Sequence, residues 1–323
     1  MKLTPYKMKE YLDIPDIDNL PELIEEAIAL KKAPYAFEAL GKHKTIGLLF
    51  FNSSLRTRLS TQKAAQQLGM HCIVMNFGAD AWAIEFEDGT VMDGSTSEHI
   101  KEAAAVISQY CNIVAIRAFP TLTDKEKDLS EHVLNNFKKY GSIPIVNMES
   151  ATAHPLQALA DAITITELKK TAKPKVVLSW APHPKALPHA VANSFTKIMQ
   201  RMDVDFVITH PEGYELNPEV TKDTPIVYNQ EEAFKDADFI YVKNWSNYKD
   251  YGKVVNNDPN WTITNKQMAV TNNAKFMHCL PVRRNVIVAD EILDSDASVV
   301  IEQANNRTYS AQVVLKRILE HLK

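Results

Sequence analysis

Glycine is scarce in this chain of 323 residues: nine occur, and no two are separated by a single position. That spacing excludes the G-x-G-x-x-G fingerprint, and no G-x-x-x-x-G-K-[ST] Walker A loop is present, so nicotinamide and nucleoside-triphosphate chemistry are disfavoured. Cysteine is scarcer still. Cys72, Cys111 and Cys279 are odd in number, far apart and without metal-ligand spacing, the pattern of a reduced, cytoplasmic protein. The ten histidines are scattered and suggest no metal site. No apolar run approaches the ~18 residues of a membrane span. The N-terminal "MKLTPYKMKEYLDIPD" reads as lacking a signal-peptide apolar segment. A basic surplus is missing too. With a formal net charge of −4, neither nucleic acid nor membrane is expected as a partner, although local basic pockets remain open.

What is present is ordinary globular material, 45% apolar and 24% charged, long enough for two domains at roughly 100–200 residues each. Aliphatic and β-branched runs predict strands in the first half at "KTIGLLFF" (44–51), "HCIVMNF" (71–77), "NIVAIRA" (112–118) and "IPIVNM" (143–148). Helical patterns lie between them near 56–68, 98–110 and 128–140. The second half adds strand candidates "KVVLSW" (175–180), "DFVITH" (205–210), "DFIYVK" (238–243), "KFMHCL" (275–280) and "SVVIEQ" (298–303). Strands apolar on both faces, alternating with helices, predict an α/β chain of two doubly wound parallel-sheet domains. The helical segment 154–170 stands between the two strand sets and is expected to bridge them.

Ligands in open α/β sheets bind beyond the carboxyl ends of the strands. Nearly every predicted strand here ends in polar, chemically useful residues: "NSSLRTR", Arg117, "ESATAHPLQ", "APHPKALPH", "NWSNY", "PVRRN". At the first of these junctions a helix N-terminus follows an apolar strand, an arrangement suited to an anion. Ser54 can cap that helix, Thr57 can donate from its first turn, and Arg56 can form paired bonds to oxygens. A plain N-cap with solvated arginines explains the junction equally well. Taken alone, the stretch does not decide.

Three strings in order decide it: "SLRTR" (54–58), "HPLQ" (154–157) and "HCLPVRR" (278–284). The chain resembles the aspartate/ornithine carbamoyltransferase superfamily, whose motifs are S-x-R-T-R, H-P-x-Q and H-C-L-P before an arginine. "DAWAIEFEDGTVMDGSTSEH" (80–99), "WAPHP" (180–184), "KNW" (243–245) and "MAVTNNAKFMHCLPVRRN" (268–285) resemble its N-acylornithine branch. The S-M-G loop of ordinary ornithine enzymes is absent. The resemblance implies a carbamoyl-phosphate-binding domain at 1–151 and an acylornithine-binding domain at 152–307, joined by interdomain helices. It also implies a C-terminal helix, 308–323, packing back on the first domain, and a knotted Pro-rich loop at 181–188.

What the resemblance implies for chemistry is specific. Ser54, Leu55, Arg56 and Thr57 would hold the phosphate, with Arg307 on the phosphate side. Arg117, His154 and Thr57 would face the carbonyl oxygen, where charge develops. Gln157 and the backbone carbonyls of Cys279 and Leu280 would bind the carbamoyl NH2. The sulfur of Cys279 reads as a small buried apolar group. Glu149, His183, Lys243 and Arg283 would surround the acylornithine in an interdomain cleft, Lys243 suiting its α-carboxylate. Three prolines stiffen the loop of His183; His43, His71, His132, His189 and His321 are read as surface or core residues. Trp82 would enter a neighbouring subunit's site, implying a homotrimer with shared active sites. No metal or cofactor is expected.

The acyl group turns on Ser97 in "DGSTSEH". The acetyl-specific enzymes carry glutamate there and the succinyl-specific ones typically proline; serine matches neither. Glutamate would place a second negative charge near a succinyl carboxylate and fill the space of a longer chain, whereas serine is short and neutral. Gln312 stands where the acetyl branch carries a lysine. N-succinyl-L-ornithine is therefore the expected acceptor, in arginine biosynthesis, with N-acetylornithine the alternative. A non-catalytic phosphate- or amino-acid-binding protein is disfavoured, since Arg56, Thr57, Arg117, His154, Gln157 and Arg283 are all present.

Overall fold

The computed structural model describes residues 8–322. The first seven residues and Lys323, which belong to the expected leaderless N-terminus, the 1–151 domain and the 308–323 helix, lie outside the described residues. Strands run at Thr45–Phe50 (β1), His71–Asn76 (β2), Ile84–Glu85 (β3), Glu98–His99 (β4), Ile113–Arg117 (β5) and Ile145–Glu149 (β6). They continue at Lys175–Ser179 (β7), Asp205–Thr209 (β8), Phe239–Val242 (β9) and Lys275–Met277 (β10). The chain divides into two compact units: residues 1–120, 126–156 and 307–323, and residues 121–125 and 157–306.

The first unit is built on a parallel sheet ordered β2-β1-β5-β6. Leu49, Val114, Ile116 and Ile145 form its core with Ile100, Ala103, Ala104, Leu134 and Phe137 from the helices Ile100–Tyr110 and His132–Tyr140. Full burial of the Leu, Val, Ile and Phe side chains among them contributes ~1.5–3 kcal/mol each. As an edge strand β2 leaves Ile73 exposed. The helix Arg56–Gln67 starts where Thr57 N–H donates to Ser54 Oγ at 3.2 Å. It ends at Gly69, φ +76°, whose N–H bonds Gln66 O at 2.9 Å. A side chain at Gly69 would also place Cβ only 2.2 Å from Glu38 O.

The second unit carries a parallel sheet ordered β10-β9-β7-β8. Val177, Ile240, Val242 and Phe276 pack with Phe234, Ile287, Val288 and Ile292. The expectation of two α/β units on parallel sheets is met. Within the bridging helix Pro155–Leu168, Leu156 belongs to the first unit and Gln157 to the second.

Two predicted elements are corrected. "SVVIEQ" (298–303) is not a strand: Ser298 makes one bridge to Phe276, and the chain then enters the helix Val300–His321. Its β-branched residues suggest a strand, while the helix hides because much of its buried face is polar, at Gln303, Asn306, Arg307, Ser310 and Gln312. The region 128–140 is not one helix. Lys125–Leu129 and His132–Tyr140 are separated at Glu131, which takes φ 52° and turns its carboxylate to Ser150 and Thr152. Among the described residues no helix is long and apolar enough to cross a membrane.

Candidate active site

The register of the first sheet places chemistry at its carboxyl edge. Arg117, the last residue of β5, pairs with Phe50 of β1 on one side and Glu149 of β6 on the other. A register irregularity between Ile116 and Arg117 sets the arginine there. The Arg117 guanidinium forms a buried ion pair with Glu149, and its Cζ sits 4.4 Å over the Phe119 ring. His154 Nε2 stands 3.1 Å from the same Glu149 carboxylate. One buried carboxylate thus holds both groups.

Thr57, in the first turn of its helix, is buried and joins two arginines. Arg307 Nη2 donates to Thr57 Oγ1 at 2.6 Å and Arg117 Nη1 at 3.4 Å. Arg117 Nε is buried and has no hydrogen-bond partner among the described residues, which leaves one donor for an acceptor. Ser54 caps this turn, Arg56 is its half-buried first residue, and Leu55 is exposed. Arg58, the second arginine of the junction, lies over the Phe50 ring at 4.7 Å and bonds Asn76. Its role is packing beside the junction.

Glu131 is a residue the sequence does not advertise. Its carboxylate accepts from Ser150 Oγ at 2.8 Å, Thr152 N at 2.8 Å and Thr152 Oγ1 at 2.5 Å, pinning the loop between Glu149 and His154. Burial pushes its pKa up, against the lowering effect of those hydrogen bonds. Only its left-handed backbone sets it apart, and an isolated glutamate in "LSEHVL" gives no signal of that.

In the second unit, Arg283 Nε donates to His183 Nε2 at 3.1 Å, while His183 Nδ1 lies 2.8 Å from Lys185 O. The tautomer with its proton on Nδ1 satisfies both. Burial is the main cause of the lowered His183 pKa, reinforced by Lys243, Arg283 and Lys185. The ring is neutral near pH 7. Lys243 is buried at the end of β9 and donates to Asn244 O at 3.1 Å. Leu280 takes φ 55°, precedes a cis bond to Pro281, and donates from its N–H to His278 Nδ1 at 2.9 Å. Gln157 Nε2 donates to Asp161 Oδ1 at 2.7 Å, and Cys279 is buried beside this turn.

Trp82 and Ser97 share no hydrogen bond with the residues of these clusters among the described residues. Trp82 is 58% exposed and its indole N–H donates to Glu98 Oε2 at 2.7 Å. Ser97 is exposed and bonds Ala83 O through its N–H at 3.3 Å. The short pair β3–β4 and the Glu87 and Asp88 carboxylates, bound to Lys127 and Lys101, hold the loop. Among the described residues no three His, Cys, Asp or Glu side chains gather as metal ligands.

Residues 9–167 match the family described as aspartate/ornithine carbamoyltransferase, carbamoyl-P binding domain, and residues 188–318 match its Asp/Orn binding domain. The chain belongs to the aspartate/ornithine carbamoyltransferase family and is a carbamoyltransferase. It is similar to N-succinylornithine carbamoyltransferase of Bacteroides fragilis, 51% identical over 317 residues, covering 98% of this chain and 100% of that one. N-acetylornithine carbamoyltransferase of Xanthomonas campestris is 36% identical over 335 residues, covering 97% and 98%. Among solved structures, acetylornithine transcarbamylase complexed with acetylcitrulline superposes with a TM-score of 0.87 at 37% identity, covering 95% of this chain and 98% of that one. A glutamate-to-serine mutant of N-acetyl-L-ornithine transcarbamylase, complexed with carbamyl phosphate and N-succinyl-L-norvaline, gives 0.89 at the same identity and coverage.

Proposed function

We propose that the protein transfers the carbamoyl group of carbamoyl phosphate to the side-chain amine of N-succinyl-L-ornithine. The products are N-succinyl-L-citrulline and phosphate, in arginine biosynthesis. The observation that carries the acyl assignment is 51% identity along the full length of N-succinylornithine carbamoyltransferases, against 36–38% for the N-acetylornithine enzymes. The short neutral side chain of Ser97 supports it. So do the N-succinyl-L-norvaline complexes of an acetylornithine enzyme whose glutamate is replaced by alanine, serine, valine or proline.

In this reading Ser54, Leu55, Arg56, Thr57 and Arg307 receive the phosphate, whose dianion suits a helix N-terminus and paired guanidinium donors. The amine nitrogen attacks the carbamoyl carbon, and Arg117, His154 and Thr57 stabilise the charge that develops on the carbonyl oxygen. The intermediate collapses by breaking the bond from carbon to the phosphate oxygen, and the departing phosphate accepts the amine proton. Gln157 with the carbonyls of Cys279 and Leu280 holds the carbamoyl NH2. Lys243 takes the α-carboxylate of the acylornithine, with His183, Arg283 and Glu149 placing its remaining polar groups. Trp82 serves a neighbouring subunit of a homotrimer. Steady-state assays with succinyl-, acetyl- and free ornithine test the assignment. The succinyl substrate should show the highest kcat/KM, and a preference for acetylornithine would overturn it.

A further inference from the structure

Asp161 is fully buried on the helix Pro155–Leu168, one turn after Gln157. Two side-chain amides converge on one of its oxygens: Gln157 Nε2 and Gln303 Nε2 each donate to Oδ1 at 2.7 Å. Gln303 Oε1 in turn accepts the His278 N–H at 3.0 Å, and His278 Nδ1 accepts the Leu280 N–H at 2.9 Å. The buried Tyr241 hydroxyl also faces Asp161 and the Cys279 thiol, and burial beside that carboxylate pushes its pKa well up. It remains a protonated donor. One carboxylate therefore stands behind both Gln157 and the turn of Cys279 and Leu280.

The orientation of these amides is set by chemistry. A carboxyl oxygen receiving two amides can only accept, so each glutamine must turn its NH2 toward it. Gln157 then has its carbonyl oxygen as the remaining acceptor, and Gln303 has its carbonyl oxygen for the His278 N–H. We propose that Asp161 is a positioning residue that locks both amides, so that Gln157 offers an acceptor rather than an NH2 to the carbamoyl NH2. The proposal rests on the assignment of Gln157 to that group. A reversed amide would set donor against donor in a buried place, at a cost on the order of tenfold or more in binding.

Asp161→Asn is close to isosteric but offers an NH2 as well as an oxygen, so it no longer dictates the orientation. It should raise the KM for carbamoyl phosphate about tenfold while leaving the acylornithine KM nearly unchanged, an asymmetry that general loosening would not give. Gln157→Glu alone sets two carboxylates together and should impair carbamoyl phosphate to a similar degree. Combined, the two substitutions reverse the polarity of the bond: the new amide donates to the new carboxylate, whose other oxygen accepts from the carbamoyl NH2. The double variant should recover part of the KM lost in Gln157→Glu but not all of it, because the same new amide also meets the Gln303 NH2, which the His278 N–H keeps turned toward it.

An unchanged KM in Asp161→Asn, or a double variant no better than Gln157→Glu, overturns the proposal. If Asp161→Asn alone does not accumulate as folded trimer or monomer, Gln157→Glu with and without Asp161→Asn makes the same comparison. Absence of rescue there overturns it equally. Gln157→Ala separates the premise from the inference. An unchanged carbamoyl-phosphate KM in that variant overturns the assignment of Gln157 itself, and the proposal with it. A raised KM together with a neutral Asp161→Asn overturns the orientation role alone.

Discussion

The cluster of Thr57, Arg117, Glu149, His154 and Arg307 and the loop bearing Trp82 and Ser97 lie in the same unit and are held in opposite ways. Every member of the cluster is buried and bonded to at least one other. Trp82 and Ser97 are exposed, and their loop is anchored by surface pairs such as Lys101–Asp88 at 2.7 Å and Lys127–Glu87 at 2.6 Å. Exposed pairs of this kind contribute ~0–1 kcal/mol, whereas breaking a buried one costs ~3–5 kcal/mol. The difference teaches where change is tolerated. The cluster proposed to polarise the carbonyl is one that its neighbours fix. The residue proposed to select among acyl groups sits where substitution should scarcely disturb the fold.

Arg117→Ala should give the largest effect. It strands the buried Glu149 carboxylate and removes the donor proposed for the developing charge. We expect ~3–5 kcal/mol less stability and ~10²–10³ lower kcat. Denaturant melts and turnover check both, and a variant as stable as the parent would show that the buried pair does not carry the cluster. Trp82→Ala is the counterpart. Its stability should change by less than ~0.5 kcal/mol, while its activity should be lost. Mixed with inactive Arg56→Ala subunits it should regain activity, because some sites then combine two intact contributions. No regain after verified subunit exchange would place Trp82 in its own subunit's site or in packing.

The same contrast explains what could be read from the sequence. Eight of the nine predicted main strands lie where runs such as "GLLF" and "VVLS" put them, since burial in a parallel sheet leaves a continuous apolar signal. The family strings are local and follow strands, so the positions of Ser54, Thr57 and Arg117 at strand ends are legible. The pairing of Glu149 with Arg117 and His154 is not, because it depends on which strands are neighbours. Asp161 and Gln303 are likewise silent: 142 residues separate them, and a buried polar helix face carries no hydrophobic period. Glu131 is silent for a third reason, a backbone conformation that its residue type does not announce.

Ser97→Glu sharpens the comparison from the loop side. The added carboxylate should lower kcat/KM for succinylornithine about tenfold by like-charge repulsion and loss of space. Acetylornithine turnover should hold or rise. Because Ser97 is exposed, the melting temperature should barely move. A Ser97→Glu enzyme that keeps its preference for the succinyl substrate would remove this loop from acyl selection.

The smallest effect is in the response to acid, and it too separates buried from exposed groups. His183, His189 and His210 all have pKa values lowered, burial being the first cause in each. Their folded values lie below the ~6.5 of an unfolded histidine. The unfolded chain therefore takes up protons first as pH falls, so the stability these groups contribute is complete above about pH 6.5 and is lost on acidification below it. The loop carboxylates Glu87 and Asp88 are also lowered, chiefly by Lys127 and Lys101, but they act only near and below the ordinary carboxylate range of about pH 4. Between pH 7 and 5 the histidines alone of these groups should set the slope, at most about 1.4 kcal/mol per pH unit for each. His210→Asn should flatten the dependence of stability on pH by up to that amount, whatever it does to stability at pH 7. Asp88→Asn should leave the slope over this range unchanged. Equal slopes in the parent and His210→Asn would show that His210 does not titrate differently in the folded and unfolded chains.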